Sequence, residues 1–265
     1  MFLAVAPPAP SHSKPAAPAV PGIWVLNQEQ TSCSVSLRPA GRPQQVLTFH
    51  IDPAMDAWGF SVAGEIPRIG ALHREVEIGV SFLPNATRLA STAMLVRDPD
   101  TNEELISITL PSGPPEQFAG AAGLLVEAKG REHVQIELPD TQKAFDDLRT
   151  CNEALLMRWG LNPQLLSSLS RKPRPMNGVQ MVNPVDYPEV SINRREQGAT
   201  TVRFSIGPDG RVKGCAPLIS SGFPALDAQS CRSLIKRGRF EPALDQNGRP
   251  ITTESVTTIH WALGY

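Results

Sequence analysis

The residues with the widest range of chemistry are the four cysteines, Cys33, Cys151, Cys215 and Cys231. Cysteine can bind a metal, act as a nucleophile or form a disulfide, and spacing helps to separate these uses. No two cysteines have C-x-x-C spacing, and no histidine lies near any of them in the sequence. The pattern therefore predicts neither a zinc site nor a thioredoxin-type redox site. Disulfides and buried free thiols remain as interpretations.

Cys215 and Cys231 lie in segments that can pack on each other. From Leu226 to Arg237 the spacing is helical, and it places Cys231 on an inward face with Asp227, Leu234 and Ile235. Cys215 belongs to a strand pattern. A helix packed on a sheet brings such positions together, so we predict a Cys215–Cys231 disulfide. Its loop would stabilise the fold by about 3 kcal/mol in the chain-entropy model. Two buried free thiols are the alternative.

The other two cysteines also fall on two different elements. A helix is predicted from an N-cap at Asp140 to Gly160, with one apolar stripe formed by Ala144, Leu148, Cys151, Leu155 and Trp159. Cys33 begins a strand-like alternation. We predict a Cys33–Cys151 disulfide, and the even number of cysteines in each half of the chain favours an oxidising compartment.

Other chemical patterns are weaker. The segment 59–64 (GFSVAG) is one residue off a nucleophile elbow, but a strand continues where the elbow needs a turn. His50, His73 and His133 lie singly in the sequence, and residues 98–102 (DPDTN) indicate a turn rather than a calcium loop. We therefore predict no catalytic, cofactor-binding or metal-binding residues and no enzyme. An enzyme with an unrecognised site in residues 22–169 stays open as an alternative.

Composition limits the class of protein. The chain has 265 residues, of which 41% are hydrophobic and 19% charged, and its net charge is -1. This composition excludes disorder throughout, and it provides no concentrated basic surface for nucleic acid. Residues 1–169 have 12 basic and 18 acidic side chains, whereas residues 170–265 have 13 and 8. The net charge is therefore negative in the first part of the chain and positive in the second, which indicates two units with different partners.

Proline marks the expected boundaries. Six of the 26 prolines fall in the first 21 residues, so we interpret residues 1–21 as a Pro/Ala-rich disordered segment. The first six residues are apolar and end in A-V-A. They are either the remnant of a signal peptide or membrane anchor, or an ordinary N-terminus. A second proline-rich stretch predicts a linker at 170–182. The predicted domains are therefore residues 22–169 and 183–265.

The N-terminal domain is predicted to be β-rich, with one late amphipathic helix. Residues 76–82 and 134–138 alternate clearly between apolar and other residues. A second helix is predicted over residues 115–129, although Gly120 and Gly123 weaken it. The predicted strands span residues 23–27, 33–37, 45–51, 58–62, 75–82, 89–96, 104–110 and 133–138.

The C-terminal domain has sharper signals, and the whole chain is predicted to be α+β. Strands at 201–206 and 212–219 flank the turn Gly207-Pro208-Asp209-Gly210, which is typical of a β-hairpin. A short helix after Tyr187-Pro188 precedes this hairpin. A helix at 225–237 and a closing strand at 255–263 follow it.

These residues resemble a known family. The features are Tyr187-Pro188, Glu196-Gln197-Gly198, Pro208-Asp209-Gly210-Arg211-Val212, Ser220-Ser221-Gly222, Leu226-Asp227, Phe240-Glu241-Pro242-Ala243 and Gly248-Arg249-Pro250. In this order and spacing they are similar to the C-terminal domain of the TonB energy transducers.

The resemblance implies a periplasmic domain associated with TonB-dependent transport. It would bind the short N-terminal box of an outer-membrane receptor, or another extended peptide, by adding a strand to its sheet. It places this docking edge on the last strand, at Val256, Thr257, Thr258, Ile259 and His260. Alternation predicts that Ile259, Trp261 and Leu263 face the helix of Cys231, with Val256, Thr258 and His260 on the opposite face.

The chain departs from a complete transducer near its N-terminus. Such a transducer has a membrane helix and a long proline-rich spacer, whereas this sequence shows six apolar residues and a 15-residue Pro/Ala stretch. At about 3.1 Å per residue that stretch would span roughly 45 Å. No apolar run is long enough to predict a spanning segment. An energy transducer whose start was assigned too far downstream, and which is then anchored in the inner membrane, is the alternative.

Overall fold

The computed structural model describes residues 20–55, 57–64, 75–84, 88–97, 104–110, 119–128, 131–176 and 181–263. Their contacts divide the chain into two compact units, one built mainly from Ser13–Pro53 and Ala57–Leu155, the other mainly from Leu156–Tyr265. The division falls within a helix, earlier than residue 170. The predicted segment 1–21 lies almost wholly outside the described residues.

In the described residues, the first unit is an antiparallel sheet of nine strands followed by a helix. The strands are β1 (Trp24–Gln28), β2 (Cys33–Leu37), β3 (Val46–Asp52), β4 (Ala57–Ala63), β5 (Glu75–Leu83), β6 (Arg88–Arg97), β7 (Glu104–Leu110), β8 (Gly123–Ala128) and β9 (Arg131–Glu137). They pair in the order β1-β2-β3-β4-β7-β6-β5-β8-β9. The helix is α1 (Thr141–Arg158).

The sheet is strongly curved, so that side chains from strands far apart in the strand order meet in its core. Phe49 in β3 and Phe82 in β5 are four positions apart in the strand order, which is about 19 Å in a flat sheet with a usual strand spacing of about 4.8 Å. Their ring centroids are only 6.3 Å apart. The ring of Phe145 in α1 lies 5.4 Å from that of Phe49, so the helix packs against the same aromatic cluster.

Disulfides tie elements together in both units. Cys33 in β2 is bonded to Cys151 in α1 across 118 residues of sequence. Cys215 is bonded to Cys231 across 16 residues. The five predicted stripe residues, four in α1 and Trp159 just after it, are all buried, as the helical spacing predicts. Both predicted pairings are therefore formed in the structure.

The predicted second helix over residues 115–129 is wrong where the structure describes it. Residues 123–128 form β8, which pairs with β5 on one side and β9 on the other. Leu124, Val126 and Ala128 are buried, which is the alternation of a strand. Pairing with two neighbouring strands outweighs the helix propensity of the alanines and leucines here.

The second unit contains a three-stranded antiparallel sheet and several short elements. Its helices are α2 (Pro163–Ser167), α3 (Glu189–Asn193) and α4 (Pro224–Arg237), with a 3-10 turn at Pro184–Asp186. Its strands are β10 (Arg174–Pro175), β11 (Gly198–Ile206), β12 (Val212–Ile219), β13 (Phe240–Glu241), β14 (Ala243–Leu244), β15 (Pro250–Ile251) and β16 (Thr253–Trp261). The three-stranded sheet has the order β12-β11-β16.

Part of the segment that we expected to be a linker is paired with this unit. β10 pairs with β13. The backbone N–H of Leu244 donates to the carbonyl oxygen of Arg171 at 2.9 Å, and the N–H of Ser170 donates to the carbonyl oxygen of Leu244 at 3.0 Å. Residues 170–176 therefore belong to the second unit, while residues 177–180 lie outside the described residues.

Candidate peptide-docking edge

The strand β16 forms one edge of the three-stranded sheet. It pairs with β11 in continuous register from Gly198 opposite Trp261 to Ile206 opposite Thr253. Within the described part of the chain, no strand pairs with its other side. All five predicted docking residues lie in this strand.

The hydrogen bonds at the strand ends show which backbone groups of β16 face outward. The N–H of Gly207 donates to the carbonyl oxygen of Arg211, toward β12. Because successive residues of a strand direct their backbone groups to opposite edges, Ile206 directs its groups toward β16 and its partner Thr253. Inward groups then recur at every second residue of β16, including Thr257 and Ile259.

The alternate residues of β16 therefore offer N–H and C=O groups to the open edge. These residues are Glu254, Val256, Thr258 and His260. The C-terminal end of the strand supports this alternation, because the N–H of Leu263 turns to the β11 side and donates to Gln197 Oε1 at 2.9 Å. Leu263 lies six residues after Thr257, an even number, so the alternation assigns both to the β11 side.

Trp261 and Thr258 lie on opposite faces of the sheet, as alternation predicts. The indole Nε1 of Trp261 donates to Ser230 Oγ of α4 at 2.9 Å. On the other face, the hydroxyl of Thr258 lies 2.9 Å from that of Thr201. Val256 and Ile259 are buried, whereas Thr257, Thr258 and His260 are half-buried. Burial lowers the pKa of His260, so at neutral pH this edge gains no charge from the imidazole.

Asp227 joins α4 to the sheet and to the loop before the helix. Its carboxylate accepts hydrogen bonds from Thr200 Oγ1 at 2.8 Å, from Ser221 Oγ at 2.8 Å and from the Ser221 N–H at 2.9 Å. Ser220 Oγ donates to its other oxygen. Burial acts to raise the pKa of Asp227, but these hydrogen bonds hold it below its ordinary value.

Tyr187 and Gly210 also connect separate segments of this unit. Tyr187 packs edge-on against Trp261, with ring centroids 5.2 Å apart, and its hydroxyl donates to the carbonyl oxygen of Glu196 at 2.6 Å. At the hairpin, Gly210 has φ +71°, and a Cβ there would lie 2.0 Å from the carbonyl oxygen of Phe240. Only glycine fits this turn, because any side chain would meet both strain and backbone.

These three contacts connect the residue groups that carry the resemblance. Asp227 joins Ser220-Ser221, Tyr187 joins Glu196, and Gly210 joins Phe240. Residues 183–263 match the family described as Gram-negative bacterial TonB protein C-terminal. The match covers the second unit from the 3-10 turn onward. No curated protein matches this chain.

The TonB C-terminal domain links the chain to TonB-dependent transport. In bacteria such domains are periplasmic, and the family implies interaction with outer-membrane receptors. None of the described helices has the length and apolar composition that a membrane span requires.

The other candidates from the sequence do not converge on a second site. Ser61 lies within β4 and is buried, and His50 lies half-buried in β3. In the described residues no three histidine, cysteine, aspartate or glutamate side chains form a metal-binding group. The side chain of His133 and the segments with His73 and 98–102 lie outside the described residues.

Sequence reasoning missed a cavity at the start of β16. It is lined by residues 252–254 and by four residues that precede the family match, Leu161, Asn162, Leu165 and Leu166. No periodicity marked this segment. The Asn-Pro pair at 162–163, a common helix start, was the available signal.

Proposed function

We propose that the TonB C-terminal domain binds an extended peptide, such as the N-terminal box of an outer-membrane receptor, by adding it as a strand along β16. The observation that supports this most strongly is the open edge itself. Backbone groups of Val256, Thr258 and His260 alternate toward it in unbroken register. An extended peptide can satisfy these groups, which is the basis of strand addition.

The opposite edge of the sheet is a poorer template. β12 has exposed Lys213 and exposed Pro217, and its register with β11 shifts twice. Lysine, proline and bulges are the features with which natural sheets protect their edges. The middle of β16, from Ser255 to Ile259, has no charged residue and no proline. The contrast favours β16 as the docking edge.

The proposal places the chain in the periplasm. Both disulfides require an oxidising compartment to form and persist. Each closes within a single unit, so the chain needs no partner to complete them. The proposal assigns the chain a binding role, with no catalysis and no cofactor.

Peptide titration of the full chain tests the proposal. Fluorescently labelled receptor-box peptides should bind saturably, with a dissociation constant below about 1 mM, which corresponds to about -4 kcal/mol. N-methylation of every second residue of a bound peptide makes a matched pair of controls. One set of methyl groups should abolish binding, because those amides face β16, and the other set should leave it intact.

Two results would contradict strand addition. The first is no saturable binding of any receptor-box peptide up to about 1 mM. The second is binding that N-methylation weakens equally in both sets, since side-chain recognition alone would not distinguish the two edges of the peptide.

A further inference from the structure

A cavity of about 110 Å³ lies between α2 and the start of β16. It is lined by Leu161, Asn162, Leu165, Leu166, Thr252, Thr253 and Glu254. Most of the surface that lines it is apolar, and three of the seven residues are leucines. Its lining comes from α2, the two residues before α2 and the start of β16, and it includes no residue of β11.

The segment that forms the cavity is held in place at its start. Asn162 caps α2, because its Oδ1 accepts hydrogen bonds from the N–H groups of Gln164 and Leu165 at 2.9 and 3.1 Å. Just before it, the Arg203 guanidinium donates to the carbonyl oxygen of Trp159 at 3.3 Å and to Glu254 Oε1 at 3.0 Å. Arg203 therefore joins the end of α1 to the cavity wall.

The cavity adjoins one end of the proposed docking edge, because Glu254 belongs to both. Glu254 lines it and also directs its backbone N–H and C=O to the open edge of β16. A peptide that pairs along β16 from His260 to Glu254 would bring one of its side chains to the cavity at this end. Leu165, which is 53% exposed, stands at its mouth, while Leu161 and Leu166 are buried.

We infer that this cavity binds one aliphatic side chain, the size of leucine, of the peptide docked on β16. The inference rests on the proposed function. A cavity of roughly 150 Å³ with an apolar lining accommodates benzene, so about 110 Å³ suits a four-carbon side chain. Strand addition is tolerant of sequence, and pockets beside the edge supply its specificity. The leucines of the lining precede the family match, which begins at residue 183.

A positional scan of the bound peptide tests the inference. Each position of a receptor-box peptide is replaced in turn by Leu, Ala or Glu, and each peptide is titrated against the full chain. At one position Leu should bind about tenfold more tightly than Ala, because burial of its side chain supplies that much affinity. Glu should bind more weakly than Ala there, since a carboxylate would lose its hydration in a mostly apolar cavity.

Two variants locate the preference. Leu165→Trp should fill the mouth of the cavity and reduce the Leu-over-Ala preference to less than about twofold, while affinity for the Ala peptide changes by less than about twofold. Leu218→Ala is the matched control, because Leu218 is also partly exposed but lies on β12, at the opposite edge. This control should keep the full preference.

These outcomes distinguish a failure of the cavity inference from a failure of strand addition. If peptides bind with no Leu preference at any position, or if Leu165→Trp keeps the preference, the inference is wrong and strand addition stands. If no peptide binds the wild-type chain, both fail together. Loss of binding of the Ala peptide by Leu165→Trp would also overturn the inference, since the side-chain pocket would then not be separable from the edge.

Discussion

Thr200 in β11 and Asp227 in α4 are joined by a hydrogen bond of 2.8 Å, from Thr200 Oγ1 to Asp227 Oδ1, in the buried layer between sheet and helix. The same carboxylate receives three more donors from the loop residues Ser220 and Ser221. One aspartate thus fixes the helix, the central strand and the loop between β12 and α4. These hydrogen bonds therefore connect two of the motifs on which the resemblance rests, Ser220-Ser221 and Leu226-Asp227.

Asp227→Asn should destabilise the domain at pH 7 by about 1–3 kcal/mol, because an amide cannot accept all four hydrogen bonds. The pKa of Asp227 is lowered in the folded protein. Its contribution to stability is therefore complete above the unfolded value of about 3.9 and is lost as the pH falls through the folded value. Urea unfolding should show that the difference between wild type and variant shrinks below about pH 4.

The exposed Glu189 provides the control, since Glu189→Gln should change stability by less than about 0.5 kcal/mol. A loss at Asp227→Asn that is equally large at pH 7 and at pH 2.5 would show that packing, rather than the charged network, is responsible.

Removal of the Cys215–Cys231 bond by a double alanine substitution should cost about 3 kcal/mol, whereas removal of the Cys33–Cys151 bond should cost about 4.7 kcal/mol. The longer loop of the second bond, 118 residues against 16, restricts the unfolded chain more. Denaturant unfolding of the two double variants measures both losses of stability.

Non-reducing peptide mapping of protein from its native compartment should find both disulfide bonds. Four free thiols there would contradict the periplasmic location.

The peptide bond between Arg171 and Lys172 should resist trypsin in the native protein. Arg171 pairs through its backbone with Leu244, and its guanidinium lies 3.3 Å from a carboxylate oxygen of Glu241. A protease needs an extended, unpaired segment, so native cleavage should be at least about tenfold slower than cleavage in urea. Mass spectrometry of timed digests identifies the site. Rapid first cleavage after Arg171 would support a free linker instead.

The resemblance and local patterning together anticipated most of the second unit. The turn at Gly207–Gly210 specifies a hairpin by its own backbone preferences, and alternation on each side specifies the strands. Ile235 shows the limit of this reasoning, since it was expected to face inward with Leu234 but is 46% exposed. Helical spacing predicts burial well for residues in the middle of an apolar face and poorly for residues at its edge.

Elements that depend on distant partners could not be predicted. β8 is a strand because β5 and β9 lie on either side of it, and nothing within residues 123–128 specifies those neighbours. Residues 170–176 are ordered by pairing with β13 and β14, about 70 positions later. The cavity beside β16 likewise requires residues 161–166 to meet residues 252–254.

Proline substitutions at two neighbouring positions of β16 should have opposite effects on folding and binding. Thr258 directs its N–H to the open edge, so Thr258→Pro should leave the domain folded, as proline is tolerated on an edge strand. It should weaken binding of receptor-box peptides by about tenfold or more, because the peptide loses a hydrogen bond there. Thr257 directs its N–H to β11. Thr257→Pro should therefore destabilise the domain itself by roughly 1–3 kcal/mol.

Thr258→Val controls for the side chain at the edge position. It removes the hydroxyl that contacts Thr201 but keeps the backbone N–H and the β-branched shape. Circular dichroism should show the native fold, and peptide affinity should stay within about threefold of wild type, because only the backbone donor matters for strand addition. If Thr258→Pro folds and binds peptides as tightly as wild type, β16 is not the docking edge. If Thr258→Val weakens binding as much as Thr258→Pro, recognition depends on the hydroxyl and not on the backbone.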